Sequence, residues 1–148
     1  MKKSDLIKLA CHKILAVPDF IAKDNTTYCN IGTYFVLREL NLNNKFFNIN
    51  KKRIMLANEM YDVLDKEYKR INITDLINRD FEKVYVACVK DEPHGHIAII
   101  YPDKTLCQSG KWKLSVPLCC NFGKENGIMG LNYAFRYIPD IFELGDIQ

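Results

Sequence analysis

Two short stretches of the sequence combine residue types that can perform nucleophilic catalysis. The first, TYCNIGTYFVLREL at residues 27–40, places Cys29 where small polar residues give way to an apolar helical pattern. The second, DEPHGHIAIIYPD at residues 91–103, places His94 and His96 directly before an aliphatic run. A thiolate is an effective nucleophile, and a nearby imidazole can supply its base. If the two stretches meet in space, the sequence predicts an enzyme.

The position of Cys29 favours a nucleophile. Of the six cysteines, it is the only one predicted to begin a helix. The unpaired N–H groups and the dipole of a helix start lower the pKa of a thiol and can hold the oxyanion of an acyl-transfer intermediate. Taken alone, a single cysteine of this chain is more readily interpreted as a small apolar core residue than as a nucleophile, and this holds for Cys29 too. We interpret the other five in that way: Cys11, Cys88, Cys107, Cys119 and Cys120.

Three histidines are candidates for the base. His96 is favoured because it begins the predicted strand HIAII, and a sheet would fix its position. His94 lies in the preceding loop, where it could assist or simply be solvated, and Gly95 lets the chain turn between the two. His12 lies on an ordinary helix and is the weakest candidate.

A catalytic base of this kind needs a polar group that holds its tautomer. Asn121 closes the apolar run VPLCCN and would lie beside the His96 strand if the two strands pair. Asp103 or Glu92 could do the same job. Asn is also common at strand ends for conformational reasons alone, so Asn121 could be a turn residue.

The elements that must position these residues follow from hydrophobic periodicity. Helical spacing behind Ser4, a candidate N-cap, predicts a helix over 4–16, and a polar turn at 23–27 leads into a second helix over 29–40. A third helical stretch lies within 49–71, and a short fourth helix over 74–80 could be capped by Thr74. Short β-rich runs follow residue 81, and 130–148 resembles a closing strand and tail. Helices before strands predict one α+β domain over 1–148, with N-terminal helices packed on a mainly antiparallel sheet.

Composition excludes several classes of protein. The 148 residues are 48% hydrophobic, enough for a proper core, and the net charge of +3 comes from scattered basic residues that form no nucleic-acid footprint. No CxxC pair indicates a metal site or redox motif. The apolar runs are too short to span a bilayer, and charges interrupt the N-terminal segment too early for a secretory signal. We therefore expect no metal, no membrane insertion and cytoplasmic synthesis.

The order of these stretches resembles the papain-like cysteine hydrolases of bacterial cell walls, the NlpC-type and CHAP (cysteine, histidine-dependent amidohydrolase/peptidase) superfamily. The general resemblance lies in a cysteine at a helix start, then GHIAIIYP, then an asparagine after a further strand. The blocks TYCNIGTYFVLREL, ANEMYDVL, GHIAIIYP, SGKW and VPLCCNFGKENGIMGLNYAF are similar to those of a phage- and bacteria-associated branch, over residues 27–135.

The resemblance implies a papain-like fold, with Cys29 as nucleophile, His96 as general base and acid, Asn121 as orienting residue and no cofactor. The implied substrate is peptidoglycan, cut at an amide of the stem or crosslink peptide or at the sugar-to-peptide amide. Without an export signal or a wall-binding repeat, such a protein would reach the periplasm as a holin-released lysin or as a delivered toxin with an immunity protein.

Four further residues are predicted to lie near the substrate cleft: Tyr28, Asn58, His94 and Trp112. Asn58 could instead bond within its own helix, and Trp112 could be a half-buried aromatic under a loop. Two other functions stay open at this point. One is a non-catalytic module that binds a cell-wall peptide or a protein, and the other is an acyltransferase or deamidase toxin that uses the same cysteine and histidine.

Overall fold

The computed structural model describes residues 1–21 and 28–147, so the polar turn predicted at 23–27 lies outside the described residues. The first three α-helices follow the predicted order, and a fourth lies in the segment predicted to be a closing strand and tail. The α-helices are α1 Lys3–Leu15, α2 Cys29–Glu39, α3 Ala57–Glu67 and α4 Leu131–Ala134. The 3-10 helices are Pro18–Phe20, Asn44–Phe46 and Ile73–Asn78.

The strands are concentrated in the second half of the chain. They are β1 Phe47–Asn48, β2 Arg53–Ile54, β3 Lys69–Ile71, β4 Lys83–Val89, β5 His96–Ile100, β6 Leu106–Ser109, β7 Leu114–Asn121, β8 Gly127–Gly130 and β9 Asp140–Asp146. β1 and β2 form a separate two-stranded ribbon. The other seven strands form one sheet in the order β3-β9-β4-β5-β7-β6, with β8 also paired to β7.

All the strand pairs of this sheet are antiparallel. The predicted α+β class with a mainly antiparallel sheet is therefore confirmed. None of the helices in the described ranges has the length and apolar character needed to cross a bilayer.

The two faces of the sheet bury two separate cores. Side chains alternate along β5, so Ile97 and Ile99 pack with the helices α1, α2 and α3, whereas Ala98 and Ile100 pack with α4 and its neighbours. The adjacent Cys119 and Cys120 divide in the same way, Cys120 facing the helical core and Cys119 the other. Apart from half-buried Cys107, the cysteines of the described chain are buried free thiols.

The helix that begins at Cys29 lies close against the middle of the sheet. The hydroxyl of Thr33 donates to the carbonyl of Ile97, at 3.4 Å. One residue earlier, a Cβ on Gly32 would overlap the ring of the fully buried Phe122. Gly32 therefore permits an approach that any larger residue would obstruct, and this approach holds α2 onto β5 and β7.

The first helix begins one residue earlier than predicted, and Ser4 is not its N-cap. The N-terminal flanking residue is Lys2, which makes no side-chain cap. The N–H and hydroxyl of Ser4 instead donate to the carboxylate of Glu82, at 3.0 Å and 3.3 Å. A distant carboxylate thus replaces the local capping that the sequence suggested.

The predicted fourth helix is a 3-10 helix that starts before Thr74. The N–H of Asp75 donates to the carbonyl of Asn72, at 2.9 Å, which is the shorter repeat of this helix type. At its end the buried guanidinium of Arg79 donates to the carbonyls of Leu76 and Tyr101, at 2.7 Å and 2.9 Å. These bonds satisfy the helix end and join it to the residue after β5.

The closing segment also differs from its prediction. The short helix α4 interrupts it, and the strand β9 begins only at Asp140. Pro139 precedes that strand and has no N–H to donate to a neighbouring strand, which explains why the ladder starts after it.

Replacing Gly32 with Ala should destabilise the fold. The added methyl group would displace the Phe122 ring, and overpacking of this kind costs about 1–3 kcal/mol, offset by up to about 1 kcal/mol from the higher helix propensity of Ala. Urea denaturation of Gly32→Ala should therefore show a lower free energy of unfolding. Gly110→Ala is the matched control, because a Cβ there meets nothing within 4 Å. Equal stability of the two variants would show that a methyl group fits between α2 and the Phe122 ring.

Candidate active site

Cys29 is the first residue of α2, as predicted, and its side chain is almost fully buried at 6% exposure. The first hydrogen bond of the helix runs from the N–H of Gly32 to the carbonyl of Tyr28, at 2.7 Å. The N–H groups before Gly32 have no carbonyl one turn earlier in the helix. Cys29 therefore lies at the positive end of a helix, beside amides that can donate to an anion.

The pKa of the Cys29 thiol is nevertheless raised above its ordinary value. Burial is the largest cause, and the backbone N–H groups of Ile97, Asn30 and Cys29 itself oppose it. The expected effect of the helix start is thus present but is outweighed by loss of solvation. The prediction of a lowered pKa is wrong in sign, and the resting group is a neutral thiol.

His96 and Asn121 form a close pair. The strands β5 and β7 are neighbours, and the Nε2 atom of His96 lies 2.6 Å from the Oδ1 atom of Asn121. The amide orientation is fixed from the other side, because the Nδ2 atom of Asn121 donates to the carbonyl of Glu125 at 2.9 Å. An amide oxygen only accepts, so Nε2 carries the proton and Nδ1 of the neutral ring is free to accept one.

The pKa of His96 is lowered, and burial is the main cause. The hydrogen bond to Asn121 opposes this effect, since it stabilises the protonated ring. The ring also lies against Phe135, with 4.7 Å between the ring centroids. Near pH 7 the imidazole is therefore neutral and able to accept a proton at Nδ1.

The thiol and the imidazole lie on either side of the beginning of β5. The Cys29 thiol is close to the backbone N–H of Ile97, the residue after His96, on the helical face of the sheet. The His96 ring lies against Phe135 of the opposite core. Among the hydrogen bonds of the described residues, none joins the two groups. The structure therefore brings His96 together with Asn121. It places the Cys29 thiol beside Ile97, the residue after His96, with no hydrogen bond between thiol and imidazole.

Two depressions flank this part of the chain. Cys29 lines a groove of about 420 Å³, whose other walls include Tyr28, Ile31, Leu56, Asn58 and His94. His96 and Asn121 line a smaller depression of about 260 Å³ with Gly123, Glu125 and Tyr133. His94 and Gly95 line the larger groove, and the next residue, His96, lines the smaller depression.

Three of the four predicted cleft residues lie in the larger groove with Cys29: Tyr28, Asn58 and His94. Trp112 does not line either depression, and it packs on the core that faces away from α2. The backbone N–H of Trp112 donates to the hydroxyl of Ser109, at 3.1 Å, and the ammonium of Lys111 lies 5.0 Å from the centroid of the Trp112 ring. These contacts are those of a half-buried aromatic residue at a turn.

The alternative candidates make other contacts. His12 shares a 2.8 Å hydrogen bond with the hydroxyl of Tyr101. The carboxylate of Asp103 accepts from the N–H of Thr105, at 3.3 Å. Sequence reasoning missed the parts played by Phe135 and Glu125, which support His96 and Asn121. The only signal for Glu125 was its place in the turn that follows Asn121.

No cluster of three or more His, Cys, Asp or Glu side chains that could hold a metal ion occurs in residues 1–21 and 28–147.

No protein-family model and no curated protein matches this chain. The resemblance to the cell-wall cysteine hydrolases therefore rests on the sequence blocks themselves.

Replacing Asn121 with Ala should lower the pKa of His96 further, because the protonated ring loses the acceptor that stabilises it. The rate of any reaction that needs neutral His96 would then begin to rise at a lower pH. The titration can be followed by NMR of the imidazole Cε1–H signals. The chain has only three histidines. His12 provides an internal reference, because it bonds to Tyr101 and not to Asn121. An unchanged or raised His96 pKa would contradict the assigned hydrogen bond.

Proposed function

We propose that this protein is a cysteine hydrolase that cleaves an amide bond of the peptide part of peptidoglycan. The observation that carries the proposal is the 2.6 Å pair of His96 and Asn121 at the start of the strand against which the Cys29 thiol lies. This pair leaves Nδ1 as the basic atom, as a general base requires.

In the first half of the proposed reaction, the Sγ atom of Cys29 attacks the carbonyl carbon of the scissile amide. The thiol proton passes to Nδ1 of His96, and a sulfur-carbon bond forms. The negative charge on the former carbonyl oxygen is stabilised by the N–H groups at the start of α2. His96 then protonates the departing amine as the carbon-nitrogen bond breaks, which leaves a thioester on Cys29.

In the second half, water attacks the thioester carbon and gives its proton to Nδ1 of His96. The sulfur-carbon bond breaks, the carboxylic acid product leaves, and the proton returns to the sulfur of Cys29. Throughout both halves Asn121 holds the Nε2 proton, so the same nitrogen always faces the reacting atoms.

The neutral resting state sets a requirement on this mechanism. With the thiol pKa raised and the imidazole pKa lowered, proton transfer must accompany substrate attack instead of preceding it. Nδ1 must also come within reach of Sγ in the substrate complex. Catalytic hydrogen bonds are often long or absent in an empty site and form only in the complex.

The fold and substrate of this proposal come from the sequence resemblance. A papain-like arrangement is supported by a helix that starts with cysteine, packed on an antiparallel sheet whose neighbouring strands carry His96 and Asn121. The groove beside Cys29, about 420 Å³ in volume, is large enough for a peptide side chain and its flanking backbone.

A second candidate is a binding module on the same fold. It is favoured by one observation: the thiol is buried, protonated at rest and not hydrogen-bonded to the imidazole. Such a module would use the groove beside Cys29 to bind a cell-wall peptide, with no covalent step.

Hydrolysis should depend on Cys29 and His96 but not on another thiol. We expect the protein to clear a suspension of purified sacculi, with mass spectrometry of the soluble fragments identifying the bond. Cys29→Ala and His96→Ala should each lower the rate by about a thousandfold or more. Cys107→Ala is the control, because Cys107 is a half-buried thiol outside the site. Full activity of Cys29→Ala would end the proposal, and an acyl-exchange product or released ammonia would redirect it to an acyltransferase or deamidase.

Covalent labelling of Cys29 should separate the hydrolase from the binding module. In the free protein, iodoacetamide should modify Cys29 with a midpoint above that of an exposed thiol, because burial keeps the proton bound to a higher pH. A bound substrate analogue that ends in an aldehyde should react with Cys29 and lose this reaction in His96→Ala. Absence of any adduct, with sacculi bound but not cleared, would favour the binding module.

A further inference from the structure

Asn58 lines the groove beside Cys29, but its side-chain amide is already committed to the protein. Its Nδ2 atom donates to the carbonyl of Asp91 at 2.7 Å, and its Oδ1 atom accepts from the N–H of the same residue at 3.1 Å. The two bonds fix one peptide segment as a neighbouring β-strand would. Asn58 was expected to contact the substrate, but its Nδ2 donor and its Oδ1 acceptor are both already used in these bonds.

The segment held by these bonds carries both candidate histidines. Residues 90–95 connect β4 to β5, and His94 and His96 follow Asp91 by three and five residues. His94 is exposed and lines the Cys29 groove, whereas His96 begins β5. A displacement of the connection at Asp91 would therefore move both imidazoles relative to the thiol.

Gly95 provides a second and independent observation. A Cβ at this residue would overlap the Oδ1 atom of Asn58 and would lie 2.5 Å from the carbonyl oxygen of Val89. The backbone next to His96 thus lies directly on the Asn58 amide. Asn58 touches the connection at two places, at Asp91 and at Gly95.

The helix that carries Asn58 is itself joined to the strand beneath the thiol. The thiol of Cys88 lies 3.8 Å from the carbonyl of Ala57, in the first turn of α3. Cys88 is paired across the sheet with Ile97, whose N–H faces Cys29. The Asn58 amide therefore holds the histidine segment, residues 94–96, next to the strands β4 and β5 that lie beside the Cys29 thiol.

We infer that Asn58 is a positioning residue, which holds the His94–Gly95–His96 segment in register with Cys29 and does not bind substrate. Its bonds to Asp91 replace the strand pairing that the connection lacks, and its contact with Gly95 limits how far His96 can move. The kinetic consequence of this inference rests on the proposed function, whereas its structural consequence does not.

The test compares wild type with Asn58→Ala, which removes both bonds, and Asn58→Asp, which keeps an acceptor for the Asp91 N–H but loses the donor. Asn48→Ala is the matched control, since the Asn48 amide donates to Glu59 of the same helix turn and not to the histidine segment. NMR of the three imidazole Cε1–H signals provides a readout that needs no substrate, with His12 as the internal reference.

In Asn58→Ala the His94 and His96 signals should shift or broaden while His12 stays unchanged, and the Asp91 amide should lose protection from hydrogen exchange. With sacculi-derived peptides, kcat should fall about 10- to 100-fold with little change in KM, because misplacement of a catalytic group weakens the reaction step and not substrate binding. Asn58→Asp should show a smaller change of the same kind, and Asn48→Ala should show none.

Three outcomes would overturn the inference: unchanged His94 and His96 signals in Asn58→Ala, a raised KM with unchanged kcat, or the same changes in Asn48→Ala. If Asn58→Ala does not fold, Asn58→Asp decides the matter by the same signals. A wild-type protein with no hydrolytic activity would reject the proposed function, but the imidazole signals would still decide whether Asn58 positions the segment.

Discussion

The close contact of α2 with the sheet is the constraint on which the site depends. Gly32 lets the helix lie on the ring of Phe122, and Thr33 donates to the carbonyl of Ile97. Because the helix begins only three residues before Gly32, this contact also sets the depth of its first residue. The thiol of Cys29 is therefore buried against the beginning of β5 by the same packing that stabilises the helical core.

Burial of that first residue decides the electrostatics of the site. A thiol at an exposed helix start would lose its proton readily, but the Cys29 thiol has given up solvent contacts that the nearby amides replace only in part. His96 is affected in the complementary sense, since burial favours its neutral form. An uncharged thiol and an uncharged imidazole avoid the cost of two desolvated charges.

The sequence predicts the elements well and their three-dimensional relationships less well. Periodicity located α2 at Cys29 and the strands that carry His96 and Asn121, because these patterns are local. It could not locate the contact of Ser4 with Glu82, which lies 78 residues away, or the bond between Asn58 and Asp91. The sign of the Cys29 pKa shift was missed for the same reason, since Cys88 of β4 and Ile97 of β5 are distant in sequence but lie beside its thiol. The alternation of β5 was predicted, but which face receives His96 is fixed by tertiary packing.

The distribution of thiols gives the folded and unfolded chain very different chemistry. Cys119 and Cys120 point into opposite cores, and of the other cysteines only Cys107 is even half exposed. A folded molecule that meets an oxidising environment thus presents few sulfur atoms to disulfide exchange, whereas the unfolded chain presents six within 148 residues. The folded state therefore protects the thiols from oxidation. A chain that folds before it meets an oxidant keeps its thiols reduced, whereas in one that folds afterwards incorrect disulfides compete with folding.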